Sequence, residues 1–395
     1  IRSFVSNSVD LSSLNILMKY RIKLLLAAVG LVVFACVEPY DLNFGSQKEI
    51  LFIEADINDY DSLQYVIIKK NIPEPNNIVY RDIENAKVQL IEGKTTFYEC
   101  NYVSEGKYQL PKGFKTKTNT PYQLRIVMEG STYESSVETT SATAQIEKIY
   151  SQFVEKGIDY LDRKVDGHRI FLDTKDSETK GQYYLWQYRL YEKQSYCASC
   201  NGGRYFTTPA PLGRCVDDAN LARRGVTYDY LCVSNCWDII YNEEINVMTD
   251  NYANGQTIKG RLVANIPFFQ YRNGLIDVQQ YSISKSAFEY FNIMINQTQR
   301  NGSLADTPPA GLIGNIKNMS NKSEAVGGIF MVSSKTSKTF VIQRNESFTS
   351  VSAVGLFKGR QVSPEPMGND TSRPPFAPCI EGENRTKIKP IGWID

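Results

Sequence analysis

Seven short runs between Glu49 and Thr139 constrain this chain more than any other feature. They read "EILFIEAD", "LQYVIIKK", "AKVQLIEG", "TTFYECNY", "GKYQLP", "PYQLRIVMEG" and "STYESSVET". In the sixth, Tyr122, Leu124, Ile126 and Met128 fall on one face and Gln123 and Arg125 on the other. A period of two belongs to a half-buried strand, because successive side chains point to opposite faces of a pleated sheet. Turn residues such as "SEGK" and "MEGS" separate the runs. The spacing predicts a mainly β chain whose residues 48–141 form an immunoglobulin-like sandwich. With 25 Tyr and 18 Phe, the composition agrees, since aromatic side chains pack well on pleated surfaces.

Upstream lies a segment of different character. Leu24 to Ala35 is apolar and uncharged, too short for the roughly 20 residues that a spanning helix needs. Lys19, Arg21 and Lys23 precede it, and Val33-Phe34-Ala35-Cys36 ends it. Basic segment, short apolar core and small residue before Cys describe a bacterial lipoprotein signal over 18–35. Cys36 is then the acylated mature N-terminus, and each acyl CH₂ adds about 0.8 kcal/mol of membrane burial. An ordinary secretory signal is the competing reading. Residues 1–17 are expected to be an upstream extension from a mis-assigned start, and 36–47 a tether.

Removing 1–35 takes away four basic residues and one acid, leaving a net charge of about −2. A near-neutral chain without a basic run does not suit nucleic acid as a partner. Six cysteines cluster late: Cys197, Cys200, Cys215, Cys232, Cys236 and Cys379. In an exported protein an even set predicts three disulfides, although their spacing does not choose a pairing. A zinc site built from "CASC" and "CVSNC" is the rival, and no His lies nearby. Cys100, in a strand, is expected to be a free, half-buried thiol.

The rest, 142–395, reads as a larger β-rich domain. It contains an aromatic strand ("YYLWQYRLY"), an irregular cysteine-bearing excursion from Ser195 to about Asp238, one helix near 284–300 and a loop-like C-terminal tail. Ser284 or Ser286 caps the helix, whose apolar face carries Phe288, Phe291 and Ile295. The candidate contact surface comprises Tyr184 and Trp186 of the aromatic strand, Tyr205, Tyr228 and Tyr230 of the excursion, and Pro308 and Pro309 beyond the helix. The only histidine, His168, has no partner motif and reads as a strand residue rather than a general base. "DINDYDS" lacks the glycine and distal glutamate of a calcium loop and reads as a solvated turn. No nucleophile elbow, phosphate loop or metalloprotease motif is present, so the expectation is a non-enzymatic protein without a cofactor or metal.

Taken in order, "CVEPYDLN", "EILFIEADI", "YYLWQYRLYE", "VQQYSISKSAFEYFNIMINQTQRNGSLADTPPAGLIGNIKN" and "AVGGIF" resemble one known family. It is a Bacteroidetes outer-membrane lipoprotein family of unknown function (domain of unknown function forty-two forty-nine). The resemblance implies a lipoprotein facing the cell surface, often encoded beside a TonB-dependent outer-membrane receptor and helping it capture cargo. It names no catalytic residue. The cargo, whether small molecule, peptide or glycan, stays open, as do two other roles: a structural or adhesive surface lipoprotein, and a carboxylate-dependent glycan hydrolase.

Overall fold

The alternation is realised strand by strand in the computed structural model. The structure describes residues 49–394 except 61, 75–76, 178–179, 211, 300–313, 346–350, 358–359 and 367–374. The signal, Cys36, the tether, Pro308 and Pro309 therefore lie outside the described residues. No helix among the described residues is long and apolar enough to cross a membrane.

The first stretch supplies β1 (Ile50–Asn58), β2 (Tyr65–Glu74), β3 (Asn77–Asp82), β4 (Lys87–Glu92), β5 (Thr96–Ser104), β6 (Lys107–Gln109), β7 (Tyr122–Met128) and β8 (Ser131–Ser135). All seven expected runs are strands, and β3 is an eighth that the pattern did not reveal. Then come β9 (Ile146–Tyr160), β10 (Arg163–Lys175) and β11 (Tyr183–Lys193). The cysteine excursion holds four short strands, β12 (Tyr196–Asn201), β13 (Gly203–Phe206), β14 (Arg214–Asp217) and β15 (Thr227–Leu231), with a short helix, Ala219–Arg223. After it run β16 (Trp237–Tyr241), β17 (Asn246–Thr249), β18 (Thr257–Pro267) and β19 (Gly274–Ile283), then a long helix, Lys285–Gln299. Last are β20 (Ile316–Asn318), β21 (Val326–Gly327), β22 (Phe330–Ile342) and β23 (Arg385–Thr386).

One large sheet follows the order β20-β8-β7-β4-β5-β6-β2-β1-β22-β19-β11-β16-β23. Apolar side chains of β1, β2, β4 and β7, among them Ile53, Ile68, Leu90 and Leu124, are fully buried in the first core. Burying each such side chain contributes about 1.5–3 kcal/mol. A self-contained immunoglobulin-like sandwich would complete this core with its own strands. Here Ile316, Val326, Phe330 and Val332 complete it from the far end of the chain. The strand β1 pairs with β22 in parallel, Ala55 opposite Phe330. Antiparallel hairpin neighbours cannot supply such a strand, so it must come from a distant segment.

A side chain closes the seam beside β20. The Asn315 carboxamide donates to the Phe330 carbonyl at 2.8 Å and accepts from the Phe330 N–H at 2.9 Å, imitating a backbone strand. Gly314 faces the backbone at Gly328 so closely that any β-carbon would collide with it. The buried Glu138 carboxylate ties this seam to the helix start, accepting from Asn315 Nδ2 at 2.9 Å and from Ser286 Oγ at 2.8 Å.

In the second stretch, β18-β10-β9 form a separate sheet whose Ile170, Leu172 and Ile266 pack against Trp186, Leu190, Ile276 and Val278. The long helix covers part of the opposite face of β11 and β19 through Ala287 and Tyr290. Ser284 caps it, accepting from the Ala287 N–H at 3.4 Å, while its carbonyl takes the Phe288 N–H at 3.0 Å. Covered on both faces, β19 is buried at all ten positions, Asp277, Gln279 and Gln280 included.

Three disulfides staple the excursion: Cys197–Cys232, Cys200–Cys215 and Cys236–Cys379. The last joins the C-terminal tail to the start of β16. Cys100 is a free cysteine on β5, more buried than expected at 7% exposure, and burial pushes its thiol up to about 12. It is not a reactive thiolate at neutral pH.

Candidate functional site

Most of the predicted contact residues prove to be structural. Tyr184 and Trp186 are 0% and 1% exposed, so they are corrected to core residues. The two even positions point into the space between the sheets, where large rings fill the gap. Buried polar tips need partners: the Tyr184 hydroxyl donates to Asp176 and Gln182, and Trp186 Nε1 donates to Gln280 Oε1 at 2.9 Å. Tyr205 and Tyr230 are likewise buried, packed with the disulfides in a small core of their own. The Tyr230 hydroxyl donates to Glu365 at 2.9 Å. Tyr228 is half-buried, with the Arg204 guanidinium 5.6 Å from its ring centre. Irregular chain without a large core buries its own aromatics, which is why the excursion offers less contact area than its composition suggested.

His168 sits against Phe153 and Phe268, with ring centres 5.4 and 6.3 Å away. Burial, aided by repulsion from Arg344, holds it from its ordinary 6.5 down to about 4. The folded state therefore keeps His168 neutral over a range where the unfolded chain binds a proton. Stability is expected to fall by about 3 kcal/mol as pH drops from 6.5 to about 4. Denaturant midpoints across that range check this: His168→Phe flattens the slope, and an unchanged slope overturns it.

The strand that carries Tyr184 and Trp186 also builds the most promising concavity, two residues further on. Residues 183–186 of β11 pair with β17, and residues 189–193 pair with β16. Between these partners the segment 242–245 swings out, leaving a window in the sheet opposite Gln187 and Tyr188. The Asn242 carboxamide fills part of it, accepting the Tyr188 N–H at 3.1 Å and donating to the Glu244 carbonyl at 3.1 Å. An unpaired N–H inside a sheet is costly, so Asn242 stands in for the missing strand.

Clefts open on both faces of this window and share Tyr188, Tyr241 and Asn242. The inner cleft, about 340 Å³, lies between the two sheets and is lined by Tyr160, Arg169, Glu243, Glu244, Asn246 and the strand 262–267. Its acids leave a mark: burial and the charges of Glu244 and Glu243 push the Tyr188 hydroxyl up to about 12. The outer cleft, about 520 Å³, is lined by Tyr60, Ser62, Gln187, Arg189, Gln279 and Lys335. Of the acidic stretch "DINDYDS", Tyr60 and Ser62 are exposed at a bend, while Asp56 and Asp59 are stitched to β22. The Asp56 carboxylate accepts from Ser333 Oγ at 2.7 Å, and Asp59 accepts from Ser334 Oγ at 2.6 Å and from the Lys335 N–H at 2.8 Å.

Three sulfurs, of Cys197, Cys236 and Cys379, lie within 4.8 Å of one another. All three are in disulfides, so they present no thiolates for a metal in this state. The sequence reading missed the window because the partner strands of β11 are interrupted by tertiary pairing. Its one local signal was a run of polar residues, "YNEEIN", between two apolar strands.

A family model described as Domain of unknown function (DUF4249) matches residues 37–339. No curated protein and no solved structure matches.

Proposed function

The chain belongs to the family described as Domain of unknown function (DUF4249), and from that starting point we propose a non-enzymatic binding protein, lipid-anchored through Cys36 at the outer membrane and facing the cell surface. It works with a TonB-dependent outer-membrane transporter to capture a nutrient. The observation that carries the binding role is the window in the large sheet, where two clefts meet at Tyr188, Tyr241 and Asn242. Concave, aromatic-lined sites with a few placed polar groups are where small ligands bind. The anchor is supported by the short apolar run ending at Cys36 and by a family match that begins at Val37, the next residue. The transporter partnership rests on the resemblance of the segments quoted above.

A second reading, glycan hydrolysis by paired carboxylates, draws on Glu243 and Glu244 in the inner cleft. It predicts that purified protein shortens a glycan and that Glu243→Gln or Glu244→Gln stops it.

Affinity-tagged full-length protein, extracted with detergent from outer membranes, is expected to bring down a TonB-dependent receptor reproducibly. Cys36→Ser should shift the protein out of the membrane fraction and abolish incorporation of labelled palmitate. Recovery of no receptor from membranes that contain lipidated protein overturns the partnership.

A further inference from the structure

Two cations, Arg189 and Lys335, line the outer cleft. The Arg189 guanidinium is 3.3 Å from Asp277 and forms its ion pair there. On β22, which β19 separates from the strand of Arg189, the Lys335 ammonium lies 4.7 Å from the Tyr60 ring centre and 5.3 Å from that of Tyr281. No hydrogen bond or ion pair joins it to a carboxylate among the described residues. Among the described residues, the acids nearest it are already engaged. Asp277 takes Arg189 and the Gln279 amide, at 2.9 Å for the latter. Asp59 takes Ser334 and the Lys335 backbone, and Asp56 takes Ser333. Burial moreover favours the neutral form of Asp56. Burial first and then the Arg189 charge hold Lys335 below its ordinary value, against the opposing pull of Asp277 and Asp56. An incoming anion offsets the Arg189 repulsion and gives the ammonium a charged acceptor that no described carboxylate supplies by hydrogen bond or ion pair.

We propose that the outer cleft binds the carboxylate of an acidic sugar, with Lys335 as the primary anion contact and Arg189 reinforcing it. Two features favour a sugar over a peptide. Tyr188 and Tyr241 line the cleft beside Tyr60, whose ring carries the Lys335 ammonium, and Gln187 and Ser62 add amide and hydroxyl groups suited to a hydroxyl-rich ligand. The cleft has room for about one or two sugar rings. This inference rests on the binding role proposed above and names its ligand class.

Calorimetric titration of the full chain with digalacturonate, its neutral counterpart galactobiose and an acidic dipeptide tests it. Digalacturonate is expected to bind at least ~10-fold more tightly than galactobiose, the size of one charge-assisted hydrogen bond. Lys335→Met should lose that preference and Lys335→Arg keep most of it, and added salt should weaken binding only of the acidic sugar. Equal affinity for the two sugars, or a preference that survives Lys335→Met, overturns the proposal, and so does tighter binding of the dipeptide. Should Lys335→Met fail to fold, as a thermal melt would show, the comparison of ligands on the unaltered protein decides alone. The outcome is separable from the broader role: receptor recovery without acidic-sugar binding refutes only the ligand class, and sugar binding without receptor recovery refutes only the partnership.

Discussion

Arg344→Met is expected to destabilise the protein by about 3–5 kcal/mol, the cost of leaving one member of a buried ion pair uncompensated. Arg344 and Glu192 are both completely inaccessible, and their side chains meet in a two-pronged contact, with Arg344 Nη1 2.9 Å from Glu192 Oε2. Neighbouring groups satisfy much of the remaining polar capacity, although Arg344 Nε is left without a hydrogen-bond partner among the described residues. Gln270 Nε2 donates to Glu192 at 2.7 Å, Arg344 Nη1 donates to the Arg272 carbonyl at 2.6 Å, and the Arg344 N–H donates to Asn273 at 3.0 Å. Gly274 makes the nest possible, because a β-carbon there would come within 2.9 Å of Glu192 Oε1. Glu192→Leu should cost as much as Arg344→Met. The double variant should recover much of the loss, since an apolar pair needs no solvation. Guanidinium midpoints measure all three. A loss below about 1 kcal/mol for either single variant would mean that water reaches the pair.

Removing the Cys236–Cys379 bridge should cost about 5 kcal/mol, more than either other disulfide. Its cysteines are 143 residues apart, against 35 for Cys197–Cys232 and 15 for Cys200–Cys215. If cross-links act by restricting the unfolded chain, the longer loops contribute more, roughly 5, 4 and 3 kcal/mol in that order. Each pair is replaced together by serine, so that no stray thiol remains, and the ranking is read from denaturation midpoints. The loss of Cys236–Cys379 should also free the tail locally. The strand β23 adds to β16 by only two residue pairs, and Trp393 rests on Trp237 with ring centres 5.7 Å apart. Early proteolysis after Cys379 in this variant alone is the expected signature. A reversed ranking would show that native-state contacts outweigh chain entropy here.

Local features of the fold were legible because their causes are local. The run Tyr122–Met128 alternates, and it is a half-buried strand. Serine before an apolar helical stripe predicted a helix start, and Ser284 caps it. What escaped depends on partners far away in the chain. Nothing near Ala55 announces that Phe330 will lie opposite it in parallel. Gln280 on β19 is fully buried because Trp186, Ala144 and Thr174, all distant in the chain, satisfy its amide. The fifteen-residue strand β9 is hard to read from sequence because its polar residues do not alternate cleanly. The candidate site was half legible. The aromatic strand is where the reading placed interest, but the candidate position moved from Tyr184 and Trp186 to Tyr188, set by the break between β16 and β17.

The carboxamide seam at Asn315 has a consequence for how the polypeptide acquires its shape. Strands that leave the ribosome first cannot finish their packing until Gly314 to Val332 has been made, more than 200 residues later. The early hairpins therefore wait with an unpaired edge along β1. Such a polypeptide gains from escorts that mask nascent edges, and it matures only when nearly all of it has been synthesised.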